Sequence, residues 1–429
     1  MRSRPRLRAA LAAVLALALA SCGDDSKSKG SGAGKGAGTT SPVVLGRSMP
    51  EFMPSGIKED YTRVRDLKDA VKRQATKEDE RAAAKKALAD LVAELPGKWE
   101  GRDVPAPEGL YYAYILKEAG KDALAVVQAR RYMDVAPTDT NNYVAATTIL
   151  VGCLAASGDY DGASAEVAKA LDGAYKGRET ERMNAETTIA MSMMKAGQLE
   201  KAADHFETLV TLSTGDPESA ILGVDCALRM SRVDAAMRIA QKGADFFKEG
   251  RHTPRMKQLL DQVHLVGKPA ADFSDARAWR GTGGPVTREM MAGKVTVVFS
   301  YNMQTQWLRF LIQRVNTMYE EIAPKGVLLV GISRLAHFDP MKMGVIKEMT
   351  EEQELEFYER WAQQESIRFT LAIGGYDPDT SLLDAWAAQP FIPTFVVVGK
   401  DGKVSYVRTG KEDDHIAILK EMVEKALAQ

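Results

Sequence analysis

The last third of the chain alternates short β-branched segments with longer amphipathic ones, and this order restricts the possible folds more than any other feature. Strand-like segments, apolar and bounded by turn residues, occupy residues 295–301, 327–333, 369–373, 393–398 and 404–407. Helical patterns occupy residues 307–322, 351–365 and 414–427. A β-α-β unit followed by a hairpin and a final helix predicts an α/β domain.

Four motifs in this region resemble those of one protein family. GKPAADF, KVTVVFSY, KGVLLVGIS and FIPTFVVVGKDGKV stand in the order and spacing of the TlpA/ResA-like thiol-disulfide oxidoreductases of the thioredoxin superfamily. The resemblance covers residues 267–429 and implies a thioredoxin-like fold. One departure is an insertion: the chain between Ser333 and Phe369 is longer than this family usually is.

The turn after the first strand lacks the thiols that the family uses. There the strand ends in W-C-x-x-C, and the first thiol sits at a helix N-terminus that stabilises its thiolate. The resemblance puts Gln304 at the nucleophile and Trp307 at the resolving cysteine. A carboxamide cannot attack a disulfide, and an indole cannot resolve a mixed disulfide. Because no cysteine lies near this turn, peroxiredoxin chemistry fails too, and we expect no catalytic redox residue here.

A second family feature is present. Ile392, Pro393 and Thr394 match the cis-proline loop, which in the family faces the active-site turn. There the backbone of the residue before the proline can pair with an extended peptide. The resemblance therefore implies a possible peptide groove at these three residues. The alternative is that Pro393 serves only to begin the following strand correctly.

Residues 57–266 have the periodicity of amphipathic helices joined by short loops. GDYDGA at 158–163 resembles the turn and second helix of a tetratricopeptide repeat, and GQLEKA at 197–202 repeats it. Weaker copies place Ala125 and Ala236 in the same alanine position. The resemblance implies a helical stack whose concave surface receives a peptide or protein. Alternatively, the helices only pack and support the C-terminal domain.

Three cysteines occur in the whole chain, Cys22, Cys153 and Cys226, and none of them forms a C-x-x-C motif. Cys153 and Cys226 each stand five residues before a turn residue of the helical pattern. One repeat separates them, so a disulfide between them is not expected. Both are more typical of small buried hydrophobic residues than of a redox pair.

The first residues have the form of an export signal: four arginines, the apolar run AALAAVLALALA, and then SCGDD. Leu19-Ala20-Ser21-Cys22 resembles the lipobox of bacterial lipoproteins, which implies a signal peptide at 1–21 and lipidation of Cys22. Ordinary cleavage after Ala18-Leu19-Ala20 is the alternative. Small, polar and glycine residues then predict a disordered tether at 22–56.

Charge and histidine spacing exclude several function classes. Lys and Arg number 57 against 58 Asp and Glu, and no basic stripe follows the first eight residues, so we expect no nucleic-acid partner. Five histidines are scattered without the spacing of metal ligands, so we expect no metal site. No nucleotide or cofactor motif stands in a strand-to-helix context, and we expect no cofactor.

Together these observations predict a multidomain chain, with tetratricopeptide-like helices at 57–266 followed by an α/β thioredoxin-like domain at 267–429. The expected function is binding or scaffolding of a protein or peptide partner. The expected location is the cell envelope, held by a lipid anchor on the extracytoplasmic side, at the periplasmic face or outer membrane. The alternatives are an envelope thiol-disulfide oxidoreductase and a non-redox enzyme that uses Gln304 or Tyr301 as a hydrogen-bond donor.

Overall fold

The computed structural model describes residues 56–73, 78–138, 140–212, 217–303, 308–336, 349–375, 382–388, 393–410 and 415–429. The chain forms two compact units, Met1–Gly197 and Gln198–Gln429. The domain boundary predicted at residues 266 and 267 lies inside the second unit and stays a prediction. Within the described ranges, no helix is both long and apolar enough to cross a membrane.

The first unit is helical. Its helices are α1 Ile57–Arg73, α2 Glu78–Trp99, α3 Gly109–Glu118, α4 Asp122–Met133, α5 Asn141–Ser157, α6 Tyr160–Ala170 and α7 Glu179–Lys195. Short polar side chains define several ends: the Thr140 hydroxyl accepts from the Tyr143 N–H at 3.2 Å and caps α5. Gly158 ends that helix in the left-handed conformation, with φ of 88°.

Two contacts fix how the first helices pack. The buried Asp60 carboxylate on α1 accepts from Lys98 Nζ at 2.6 Å and from Trp99 Nε1 at 2.9 Å, which ties the start of α1 to the end of α2. At Gly109 a β-carbon would lie 2.8 Å from the carbonyl oxygen of Gln128, so only glycine lets α3 approach α4 this closely.

The second unit begins with four helices, α8 Leu199–Leu209, α9 Glu218–Arg229, α10 Val233–Phe246 and α11 Thr253–Leu265. Between α9 and α10, Ser231 takes the left-handed conformation, with φ of 58°. The alanines singled out by the repeat pattern are all fully buried, as expected for close helix contacts: Ala125, Ala163, Ala202 and Ala236. The tetratricopeptide family itself stays a prediction.

A six-stranded sheet forms the rest of this unit, in the order β1-β4-β3-β2-β5-β6. The strands are β1 Ala276–Gly281, β2 Thr296–Ser300, β3 Leu328–Arg334, β4 Thr370–Gly374, β5 Thr394–Val398 and β6 Val404–Thr409. Strands β2, β3 and β4 run parallel, and the other pairs are antiparallel. The accompanying helices are α12 Arg288–Met291, α13 Leu308–Ile322, α14 Glu351–Gln364, α15 Leu382–Ala385 and α16 His415–Ala428.

Packing at the centre explains why the β-branched runs become central strands. Every residue of β2, β4 and β5 is buried, as expected for strands covered on both faces. A β-carbon at Gly331 would lie 2.8 Å from the Leu371 side chain and 3.1 Å from the Phe299 ring, so the glycine makes room for these groups. The predicted α/β thioredoxin-like class and its order of elements are confirmed, with β1 as an additional strand.

Candidate functional site

The turn after β2 is the position at which the family places its thiols. Gln304 and Trp307 lie outside the described residues, as do Cys22 and Ile392. The described part of this edge consists of the end of β2, residues 301–303 and the start of α13 at Leu308.

Tyr301, directly after β2, lies in an aromatic cluster. Its ring stacks on Trp361 at 5.6 Å and on Phe299 at 5.4 Å between centroids. Burial raises the pKa of the Tyr301 hydroxyl well above its ordinary value, and the nearby Tyr358 acts in the same direction. This phenol stays protonated and is enclosed by rings, so it is not presented to a substrate. The arrangement favours a packing role for Tyr301 over hydrogen-bond donation in catalysis.

A hydrogen-bond chain ties this edge of the sheet together. Ser333 Oγ donates to the carbonyl oxygen of Tyr301 at 3.0 Å and lies 3.0 Å from Tyr358 Oη. Tyr358 Oη also donates to the carbonyl oxygen of Arg334 at 3.0 Å. The ends of β2 and β3 are thus fixed to α14.

The loop that carries the predicted peptide groove leads through Pro393 into β5, which begins at Thr394. The Pro393 carbonyl oxygen accepts from the Gly410 N–H at 3.0 Å, and the Thr394 N–H donates to Ser300 Oγ at 2.8 Å. These two backbone groups therefore already form hydrogen bonds within the domain. Pairing with an extended peptide would therefore have to come from Ile392.

Two glutamines of α11, Gln258 and Gln262, contact both sides of this loop and form what we term the glutamine clamp. The two Nε2 groups donate to the carbonyl oxygen of Ala387 at 3.2 and 3.0 Å, respectively. Both also lie 3.3 Å from Thr394 Oγ1. Gln262 Nε2 donates in addition to Thr409 Oγ1 at 2.6 Å, which joins β5 to β6.

The clamp has a clear physical reason. Ala387 has a φ of 47°, a conformation that a non-glycine residue adopts only when its surroundings hold it there. The side-chain amides of Gln258 and Gln262 stabilise this conformation by donating to the Ala387 carbonyl oxygen. Both glutamines and Thr394 are buried, so each donor and acceptor needs its partner. The segment on either side of residues 388–393 is therefore positioned by a helix from the preceding helical region.

A second buried polar group joins α9 to β6. The Asp225 carboxylate accepts from Tyr406 Oη at 2.5 Å and from the Arg408 guanidinium at 2.9 Å. Burial raises the pKa of Tyr406 well above its ordinary value, and the Asp225 charge adds to this effect. Since a buried carboxylate is costly unless paired, Tyr406 and Arg408 are what allow Asp225 to lie here. A small cavity of about 20 Å³ adjoins it, between α9, α11 and β6.

The two thiols in the described residues are free and buried. Burial raises the pKa of Cys153 to about 12, with the charge of Asp122 acting in the same direction. Burial likewise raises the pKa of Cys226 to about 12, with Asp225 as the next cause. At neutral pH neither thiol supplies a useful thiolate. The same part of the chain contains no group of three or more His, Cys, Asp or Glu side chains that could hold a metal ion.

The polar contacts between the helices and the sheet were not predicted from the sequence. A signal for them exists: Asp225, Gln258 and Gln262 stand at buried positions of helices whose other buried residues are mostly apolar. A polar residue in such a position needs a buried partner. The pattern does not say which partner, because the residues that supply it lie more than 120 positions later.

Comparison with known proteins agrees with this architecture. Residues 266–407 match the family model described as the AhpC/TSA family. A comparison with curated proteins found no match to this chain.

Similar solved structures include a thiol-disulfide isomerase from Corynebacterium glutamicum, with 18% identity over 38% of this chain and 98% of that one, at a TM-score of 0.30. A thiol:disulfide interchange protein of the thioredoxin family from Chlorobium tepidum has 18% identity, the same coverage and a TM-score of 0.26. Peroxiredoxin Q from Xanthomonas campestris, in a mutant form, has 16% identity, the same coverage and a TM-score of 0.29. Residues 266–407 therefore match the AhpC/TSA family and have a thioredoxin-like order of strands, and a helical region precedes them.

Proposed function

We propose that this protein is an envelope-anchored binding or scaffolding lipoprotein whose thioredoxin-like domain is redox-inactive. One observation carries the proposal: no cysteine follows Cys226, so the entire stretch that matches the AhpC/TSA family contains no thiol. Disulfide exchange and peroxide reduction by this superfamily both begin with attack by a thiolate. A domain without a thiol cannot perform either step.

The remaining thiols do not replace the missing ones. Cys153 and Cys226 lie on α5 and α9, away from the strand-to-helix turn in the sequence, and both are buried. Their raised pKa values leave almost no thiolate at neutral pH, and their burial keeps a protein disulfide from reaching them. These properties support the binding function over the oxidoreductase alternative.

The construction of the Pro393 loop supports the binding part of the proposal. The glutamine clamp holds Ala387 and Thr394, one on each side of the loop, although the domain contains no thiol. Positioning of this kind suits recognition of an extended segment, since anchored ends reduce the conformational entropy that a loop loses on binding. The partner would be a protein or peptide in the envelope, which the tetratricopeptide-like helices could also contact.

The anchor is proposed at Cys22, with residues after it as the tether. Several acyl chains on one cysteine hold a soluble body firmly to a membrane. Replacing Cys22 by Ala should leave the precursor uncleaved or release the protein from the membrane fraction. A Cys22→Ala protein that is processed and remains membrane-bound like the parent would contradict the anchor.

The redox part is tested with two standard activities, insulin reduction in the presence of dithiothreitol and consumption of hydrogen peroxide. We expect both rates to equal the reagent background, beside a redox-active thioredoxin as positive control. The matched variant carries Cys153→Ala and Cys226→Ala. Turnover above background that disappears in this variant would favour the oxidoreductase alternative and move its chemistry to the helices.

The binding part is tested by quantitative affinity capture from envelope extracts. We compare the parent with Ile392→Asp, which places a charge in the predicted groove, and with Asp234→Ala, an exposed position on α10 as the matched control. The proposal expects specific envelope proteins whose recovery falls about tenfold with Ile392→Asp and is unchanged with Asp234→Ala, as loss of about 1.4 kcal/mol would produce. Equal recovery with all three chains contradicts a groove at this loop.

A further inference from the structure

One helix of the first unit exposes an unusual amount of apolar surface. Six large hydrophobic side chains are exposed in the described residues, and three of them belong to α4 or the turn after it. These are Leu124, Val127 and Val135, with 53%, 50% and 54% of their surface exposed. Helical spacing puts them on one face together with Arg131, and we term this face the α4 stripe. Clustered exposed apolar residues usually mark a contact surface.

The other side of α4 is already packed. Ala125, Ala129 and Tyr132 are buried against the neighbouring helices, with α3 approaching at Gly109. The stripe is therefore not a displaced core face. The stripe is a second apolar face of α4, whose first face is already packed. Within the described ranges, no residue covers the stripe.

The sequence contains a candidate to cover it. Residues 23–42 contain no large apolar side chain, which suits a tether. At Val43 the composition changes: residues 43–55, VVLGRSMPEFMPS, contain six such side chains in thirteen positions. A solvated linker does not need them. We term residues 43–55 the apolar segment; it lies outside the described residues.

The contacts at the start of α1 connect the first residues after the apolar segment to the stripe. Asp60 holds the first turn of α1 against Trp99 at the end of α2. The chain then turns, with the Arg102 N–H donating to the carbonyl oxygen of Trp99 at 3.2 Å. One residue later, the Asp103 carboxylate lies 3.5 Å from the Arg131 guanidinium on the stripe. Gly56, the residue that follows the apolar segment, adjoins Trp99 and therefore lies on the side of the unit that carries Arg131.

Its length is also sufficient. Thirteen extended residues reach about 40 Å, whereas a twelve-residue helix such as α4 is about 18 Å long. The segment can therefore run the length of the stripe with several residues to spare. The charge also matches, because Glu51 is the single acidic residue of the segment. Arg131 on the stripe pairs with the Asp103 carboxylate, which is 96% exposed.

We propose that the apolar segment binds the α4 stripe of its own chain, with its hydrophobic side chains on Leu124, Val127 and Val135 and with Glu51 at Arg131. The free tether then consists of residues 23–42 alone. For a flexible chain this lowers the root-mean-square span from about 32 Å for the whole predicted tether to about 25 Å. The contact would set how far the helical unit stands from its anchor.

The test uses the processed chain, residues 22–429, with Cys22→Ser to keep it free of lipid. Phe52 is replaced by the photoreactive analogue benzoylphenylalanine, and after irradiation the crosslinked peptides are identified by mass spectrometry. We expect one main crosslink, within a single chain, to the peptide that contains residues 122–136. The yield should be independent of protein concentration.

Two matched variants sharpen this result. Leu124→Asp with Val127→Asp should reduce the crosslink at least fivefold, while the circular dichroism stays unchanged because both side chains are exposed. Phe310→Asp, an exposed position of the second unit, should leave the yield unaltered. Crosslinks that join two chains, crosslinks scattered over the surface, or a yield insensitive to the Asp pair would each overturn the proposal.

Discussion

The helices of the first unit and the helices α8–α11 carry the same sequence pattern of turn residues and buried alanines, but their outer surfaces have different uses. On α4, large apolar side chains remain exposed. On α9 and α11, Asp225, Gln258 and Gln262 are instead buried against β5 and β6. A repeat pattern therefore specifies how neighbouring helices pack against one another. It does not specify what the outward faces of those helices contact.

The largest effect expected from this comparison concerns truncation. A chain of residues 198–429 retains every contact between α8–α11 and the sheet, whereas 267–429 loses the partners that α9 and α11 supply to Tyr406, Arg408, Thr394 and Thr409. We expect the longer fragment to unfold cooperatively in urea and the shorter one to be less stable by at least about 3 kcal/mol, since it loses the buried hydrogen bonds to α9 and α11 and exposes the apolar surface that they cover. Equal stability of the two fragments would restore the boundary predicted at residue 266.

The next effect isolates one contact. Asp225→Ala leaves Arg408 largely buried without its carboxylate, and we expect a loss of about 3 kcal/mol in the free energy of unfolding of the second unit. Asp234→Ala, at an exposed position one helix later, is the matched control and should change stability by less than about 0.5 kcal/mol. Adding Arg408→Met to Asp225→Ala should recover part of the loss. Urea denaturation of all four chains measures this, and similar values for the two Asp variants would show that the pair contributes little.

The smallest effect depends on pH. Glu421 on α16 accepts from Arg229 at 2.8 Å and from Lys425 at 3.0 Å. Burial acts to raise the pKa of Glu421, but the hydrogen bonds and charges of Lys425 and Arg229 outweigh it, so its pKa is lowered on folding. A lowered pKa contributes stability that is complete above the unfolded value of about 4.3 and is lost as the pH falls through the folded value.

We therefore expect Glu421→Gln to cost about 0.5 kcal/mol at pH 6, the size typical of a partly exposed pair, and almost nothing near pH 3. Glu356→Gln, at an exposed position of α14, is the control and should cost the same small amount at both values. Urea unfolding at the two pH values gives the comparison. A difference between Glu421→Gln and the parent that persists at pH 3 would contradict the ionic contribution.

The sequence predicted the order of strands and helices from residue 295 onward because burial imposes a period on each element, and this period is visible locally. It missed β1, whose six residues include two arginines and lie at the edge of the sheet. The glutamine clamp was also missed, because Gln258 meets Ala387 at a separation of 129 positions and no local pattern encodes that meeting. Gln304, Trp307 and Ile392 stay predictions, since they lie outside the described residues.

The glutamine clamp has a consequence for anyone who would engineer this scaffold. A designer who replaces Gln304 and Trp307 by cysteines would be working in a domain in which a helix holds Ala387 and Thr394. That support comes from a different stretch of sequence, so it can be exchanged without altering the strand or the loop. Transplanting the thioredoxin-like part into another protein would need α11 as well, and variation of α11 would offer a separate means of adjusting the loop.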